Sequence, residues 1–117
     1  MKENNIVLKK TYAFALRIVE LHQFLVEDYG EYVLSKQILK SGTSIGANAE
    51  EAIGAQSRKD FKSKLSISYK EARETHFWLR LLRDSGYLNP KGAESMIEDC
   101  NELLKIIGSI IKTLKKS

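Results

Sequence analysis

The sequence predicts an all-α protein: one domain over residues 1–117, folded as an up-down antiparallel four-helix bundle. Three observations lead there. Apolar residues recur at spacings of three and four through four long stretches. Proline occurs once, at Pro90, and β-branched residues rarely cluster. The breaks between stretches are short, which makes consecutive helices antiparallel neighbours. A chain of 117 residues is also long enough to bury one core without disulfides or metals.

The first helix is expected near residues 6–29. Leu8, Tyr12, Ala15, Val19, His22 and Val26 form its stripe, broadened by Ile18, Leu21 and Leu25, and Gly30 ends it. The second is expected near 32–56, with Leu34, Ile38, Ile45, Ala49 and Ala52 on one face. The third, near 58–84, turns Phe61, Leu65, Ser68, Ala72, Thr75, Leu79 and Leu82 inward. The stretch from Ser85 to Pro90 breaks the chain, with Gly86 as helix C-cap and Pro90 near a new N-terminus. The fourth, near 91–115, carries Ile97, Cys100, Leu104, Ile107, Ile111 and Leu114 toward the core.

Within the second helix lies SGTSIGANAEEAIGAQ, residues 41–56, where nine of the fifteen residues from Ser41 to Ala55 are Gly, Ala or Ser. It is not a phosphate-binding loop, which needs a preceding strand and Gly-Lys-Ser/Thr. Nor is it a linker, because its apolar residues keep helical register. Interior glycines cost about 1 kcal/mol each relative to alanine, so close packing must offset them. Two readings of the small residues stay open. One is a tight helix contact within the chain; the other is a row of Ser41, Ser44, Asn48, Glu51 and Ala55 that also meets another subunit.

The third helix is apolar on two sides. At 100° per residue from Phe61, its core residues fall between roughly 300° and 40°, and Ile67, Phe77, Trp78 and Leu81 between roughly 160° and 260°. One bundle cannot bury both faces, and an exposed apolar patch marks an interaction site. Self-association is expected, with Ser44, Asn48, Glu51, Ile67, Phe77, Trp78 and Leu81 as candidate interface residues.

The net charge of +4 is mild, but residues 58–86 alone carry eight basic and four acidic groups. Arg58, Lys62, Tyr69, Arg73, His76, Arg80 and Arg83 lie between roughly 40° and 120° on the same wheel. Lysine and arginine release counterions from phosphates, and tyrosine can stack on a base. Arg58, Lys62, Tyr69, Arg73, Arg80 and Arg83 are therefore the candidate residues for binding RNA or DNA, and copies of the strip in an oligomer would concentrate its positive field. The plainer alternative is a solvated face with salt bridges to neighbouring helices. A second functional class is a structural adaptor whose strip meets an acidic protein. Lys112, Lys115 and Lys116 complement the C-terminal dipole of the fourth helix and are assigned no partner.

Catalysis finds little support. A di-iron bundle needs Glu-x-x-His pairs, but Val19 precedes His22 and Arg73 precedes His76 by three residues. Glu71 and Glu74 read as a solvated or interface charge pair, Cys100 as a small core residue, and Ser41 and Ser44 have no neighbouring base. No enzyme activity, metal or cofactor is expected. Apolar runs are too short to span a membrane. MKENNIVLKK lacks the apolar stretch of a signal peptide, and the single cysteine fits a reducing compartment, so a cytoplasmic location is expected.

SIGANAEEA followed by DFKSKLSISYKEARETHFWL resembles the bacterial four-helix-bundle family named after proteins encoded in 23S rRNA intervening sequences. The resemblance covers most of the chain and is strongest from Ile38 to Leu82. Ser44, Gly46, Ala47, Asn48, Glu51, Phe61, Leu65, Ala72, Glu74, Thr75, Trp78 and Leu79 carry it, while Ser68 stands where alanine is expected. The resemblance implies a homopentameric ring. It also implies kinship with the accessory variability protein of diversity-generating retroelements, and hence a protein partner such as a reverse transcriptase alongside nucleic acid.

Overall fold

The computed structural model describes residues 2–116, which form four α-helices and, among the described residues, no strand. These are α1 (Lys2–Tyr29), α2 (Leu34–Ile53), α3 (Arg58–Asp84) and α4 (Pro90–Lys115). Helix α2 packs between α1 and α3; α4 packs on α3 and, over a shorter stretch, on α1, while α1 and α3 stay apart, as do α2 and α4. The result is a four-helix bundle of 47 × 21 × 20 Å.

Side-chain pairs fix an antiparallel register between neighbours. Between α2 and α3, Glu51 pairs with Lys64, the Ser68 hydroxyl donates to the Ile45 carbonyl, and Thr75 bonds Ser41. Between α3 and α4, Cys100 approaches the Ala72 carbonyl and Arg83 pairs with Glu94. Between α1 and α4, Lys10 pairs with Glu102 and Arg17 with Asp99.

Local chemistry sets the helix ends. Gly30, at φ +60°, closes α1 by donating its N–H to the Val26 carbonyl, and Gly86, at φ +89°, follows α3; both conformations suit glycine. Ser57 caps α3 by accepting from the Asp60 N–H at 3.0 Å, and Asn89 caps α4 by accepting from the Gly92 N–H at 2.7 Å. Helix α2 is shorter than expected, 34–53 against 32–56, because Gly54 ends it, and α1 begins at Lys2 instead of near residue 6.

The stripe expected on the first helix is corrected. Among the described side chains of α1 the buried ones are Val7, Thr11, Phe14, Ile18, Leu21 and Leu25, whereas Tyr12 is 66% and Val19 38% exposed. Apolar residues surround most of this helix, so spacing alone leaves its rotation open. Thr11 looks polar in sequence, yet its hydroxyl donates to the Val7 carbonyl at 2.7 Å and can therefore be buried. On the other three helices the expected core holds, with Leu34, Phe61, Leu104, Ile111 and Leu114 half-buried at its edge.

The small residues of α2 serve contacts inside the chain. A Cβ on Gly42 would stand 2.6 Å from Ile18 Cγ1, and one on Gly46 would stand 3.3 Å from Thr11. Glycine thus lets α1 and α2 approach closely. On the other flank, Ser41 and Thr75 share a buried hydrogen bond of 2.9 Å with α3.

Candidate functional site

The basic strip of α3 borders its seam with α4. Tyr69 sits in that seam against Gly108, whose backbone leaves room for the ring. Two hollows open along the seam. One, of about 640 Å³, lies between Arg73, His76, Phe77 and Arg80 of α3 and Asn101 and Leu104 of α4. The other, of about 400 Å³, lies between Tyr69 and Lys70 of α3 and Gly108, Ile111, Lys112 and Lys115 of α4.

The strip residues differ in their surroundings. Arg73 and Arg80 are exposed, and Arg80 Nε donates to His76 Nδ1 at 3.0 Å. Burial holds His76 below its usual value; the Arg80 charge adds to this, a hydrogen bond with Asn101 opposes it, and Arg73 and Arg83 lower it further. Arg83 is gripped by Asp84 and Glu94, each at 2.8 Å, which raise its pKa and match its charge. Arg58 is exposed at the start of α3, and Lys62 is half-buried one turn later.

From the sequence alone Lys112 and Lys115 are dipole partners and Lys70 has no role. The fold brings all three to the hollow beside Tyr69. A glycine in α4, Gly108, at a position that would otherwise hold a seam side chain was the signal that an aromatic from another helix lies across it.

The candidate interface residues fall into two groups. On α3, Ile67 and Leu81 are each 38% and Phe77 48% exposed, while Trp78 is half-buried on the core. The Trp78 Nε1 donates to Glu74 at 3.0 Å, and its ring meets Phe77 edge-on at 5.1 Å. On α2, the Ser44 hydroxyl donates to the Lys40 carbonyl, Asn48 Nδ2 to the Ser44 carbonyl, and Glu51 pairs with Lys64. Ile67 follows Lys64 by three residues, so it shares the α2 side of α3 with this row.

Other chemistry is sparse. Burial, with Asp99 adding to it, pushes the Cys100 thiol up to about 12, which keeps it protonated and inert near neutrality. Burial and then the Glu74 charge raise Glu71, against Lys40 and Lys70. Among the described residues no group of three or more His, Cys, Asp or Glu side chains is placed to hold a metal ion, and no helix is long and apolar enough to cross a membrane.

The sequence model of the family described as "23S rRNA-intervening sequence protein" matches residues 3–109. The chain belongs to that family. A crystal structure of a protein of unknown function from the S23 ribosomal protein family of Bacteroides thetaiotaomicron is 52% identical and superposes with a TM-score of 0.92, covering 94% of this chain and 98% of that one. No curated protein matches. The match to the intervening-sequence family takes in all of the α3 strip and ends before Lys112 and Lys115.

Proposed function

We propose that the protein is a cytoplasmic, non-catalytic homo-oligomer that binds nucleic acid along the α3–α4 seam. Convergence carries the reading: Arg73 and Arg80 of α3 and Lys112 and Lys115 of α4 border the hollows of one seam, and none of the four closes an ion pair among the described residues. Glu74 also borders the seam but is turned to Trp78. Contacts of this kind go to phosphate, so affinity falls steeply with salt and depends weakly on sequence. Fluorescence anisotropy with random-sequence RNA and DNA over a salt series tests this. Absence of binding at low salt sinks the reading and leaves the strip to an acidic protein partner.

The exposed apolar faces support self-association. Tyr12, Leu16 and Val19 on α1 and Ile67, Phe77 and Leu81 on α3 lie on diagonally opposite helices. Two unlike patches suit a head-to-tail contact, which closes into a ring when the rotation allows. The number of copies, five, comes from the family resemblance. Light scattering that shows a stable monomer at micromolar concentration rules the assembly out.

A further inference from the structure

We infer that the hollow beside Tyr69 seats one unstacked base of a single-stranded nucleic acid, with the adjoining phosphate held by Lys70, Lys112 and Lys115. This rests on the nucleic-acid reading above and adds which form of strand is preferred. The hollow, about 400 Å³ and open to solvent on one side, has the volume of a small-ligand cleft. Its walls are the Tyr69 ring, the Ile111 side chain and the Gly108 backbone; its cations are the three lysines, and no carboxylate lines it. A group that is both flat and anionic fits such a place, and a nucleotide is one.

Gly108 is part of the design. Glycine weakens a helix interior, and a Cβ here would stand 3.1 Å from Tyr69 Cε1. The glycine lets the ring settle against the backbone of α4. The Tyr69 hydroxyl makes no hydrogen bond among the described residues, so the ring is held by packing. The neighbouring hollow is more polar, with Arg73, His76, Arg80 and Asn101 in its walls. A duplex reaches the lysines with its phosphates, but its bases stay stacked and away from Tyr69. A single strand can use both, since aromatic side chains stack on any base.

The test compares an unstructured single strand with a duplex of equal length, using anisotropy on wild type, Tyr69→Leu and Tyr69→Phe. Leucine keeps apolar bulk against Gly108 but removes the aromatic face. Tyr69→Leu is expected to weaken single-strand binding roughly 5- to 160-fold, the effect of removing one stacked base, with duplex binding unchanged and Tyr69→Phe close to wild type. Photocrosslinking of a bromouridine-containing strand to the wild-type protein, mapped by mass spectrometry, gives a readout independent of any variant's folding and should mark Tyr69. Equal loss for both nucleic acids, no loss for either, or crosslinks only elsewhere overturns the inference. If wild type binds neither nucleic acid, the nucleic-acid reading falls and takes this one with it. If wild type binds both and Tyr69→Leu changes nothing, only the base site falls.

Discussion

The Arg80 guanidinium carbon lies 5.9 Å from the centre of the Phe77 ring. The cationic strip and the apolar outer face of α3 thus meet at one pair of side chains. The distance is at the outer limit of a cation–π contact, worth about 0.5–1 kcal/mol at an exposed site. Substitution of Arg80 therefore touches both proposed roles; Arg73, about two turns before Arg80, makes no cation–π contact among the described residues and separates them better.

Arg73→Glu alone is expected to weaken binding of all sequences alike and to lower the salt slope by about 1 for the lost phosphate contact. Arg73→Glu with Arg80→Glu should abolish binding while light scattering still shows the oligomer. If Arg73→Glu alone already dissociates the oligomer, these arginines serve assembly and the nucleic-acid assignment of the strip is wrong; dissociation seen only with Arg80→Glu added reports on the Phe77 contact.

Assembly should depend on the outer face of α3. Trp78→Ala is expected to weaken it by about 2 kcal/mol or more, as aromatic anchors often do. That side chain also packs on the core, so its loss lowers the stability of the subunit too. Leu81→Glu is the cleaner probe: it places a charge on a partly exposed apolar position and should disperse the oligomer at unchanged helical content by circular dichroism. An intact oligomer in Leu81→Glu would remove this face from the interface.

The helices and most of the core were legible because the inward stripes of α3, from Phe61 to Leu82, and of α4, from Ile97 to Leu114, keep an unbroken spacing of three and four. Ser68 and Thr75 could be placed inside from spacing alone, and each finds a hydrogen bond there. On α1 the same rule failed, since Tyr12, Leu16 and Val19 form a second apolar face as persuasive as the buried one. Its rotation is decided by contacts with other helices, above all the close approach of Ile18 to Gly42. The α3 half of the seam could likewise be read from one helix. Its α4 half could not, because Lys112 and Lys115 become neighbours of Tyr69 only through the register of two helices distant in sequence.

That close approach predicts an asymmetry between two glycines. Alanine gains about 1 kcal/mol over glycine in a helix. At Gly42, however, the new Cβ would lie within 2.8 Å of three atoms of Ile18, a fully buried β-branched side chain with little rotamer freedom. Gly42→Ala is expected to be destabilising by about 1–3 kcal/mol, the usual cost of overpacking. Gly46→Ala, whose Cβ would stand 3.3 Å from Thr11, should cost clearly less. Urea denaturation at equal protein concentration checks both. Equal stability of the two variants would show that α1 and α2 can separate freely.

His76 should report on the seam through pH. Burial, and then the Arg80 charge, hold its pKa below the usual 6.5, so the folded chain favours neutral imidazole more than the unfolded chain does. Between the folded value and 6.5 the unfolded state binds more protons; the stabilisation is present above 6.5 and is lost as pH falls through the folded value. Wild type should accordingly lose stability relative to His76→Gln on going from about pH 7.5 to about pH 5.5, since carboxylate effects common to both cancel in the difference. Phosphate in the neighbouring hollow reverses the balance by favouring imidazolium. Nuclear magnetic resonance titration is then expected to move the His76 pKa upward when nucleic acid is bound. By linkage, binding tightens as pH falls, reaching about tenfold where the bound-state pKa stands one pH unit above the free one. A His76 pKa that stays put in the presence of saturating nucleic acid would place the phosphates away from the Arg73–Arg80 part of the seam.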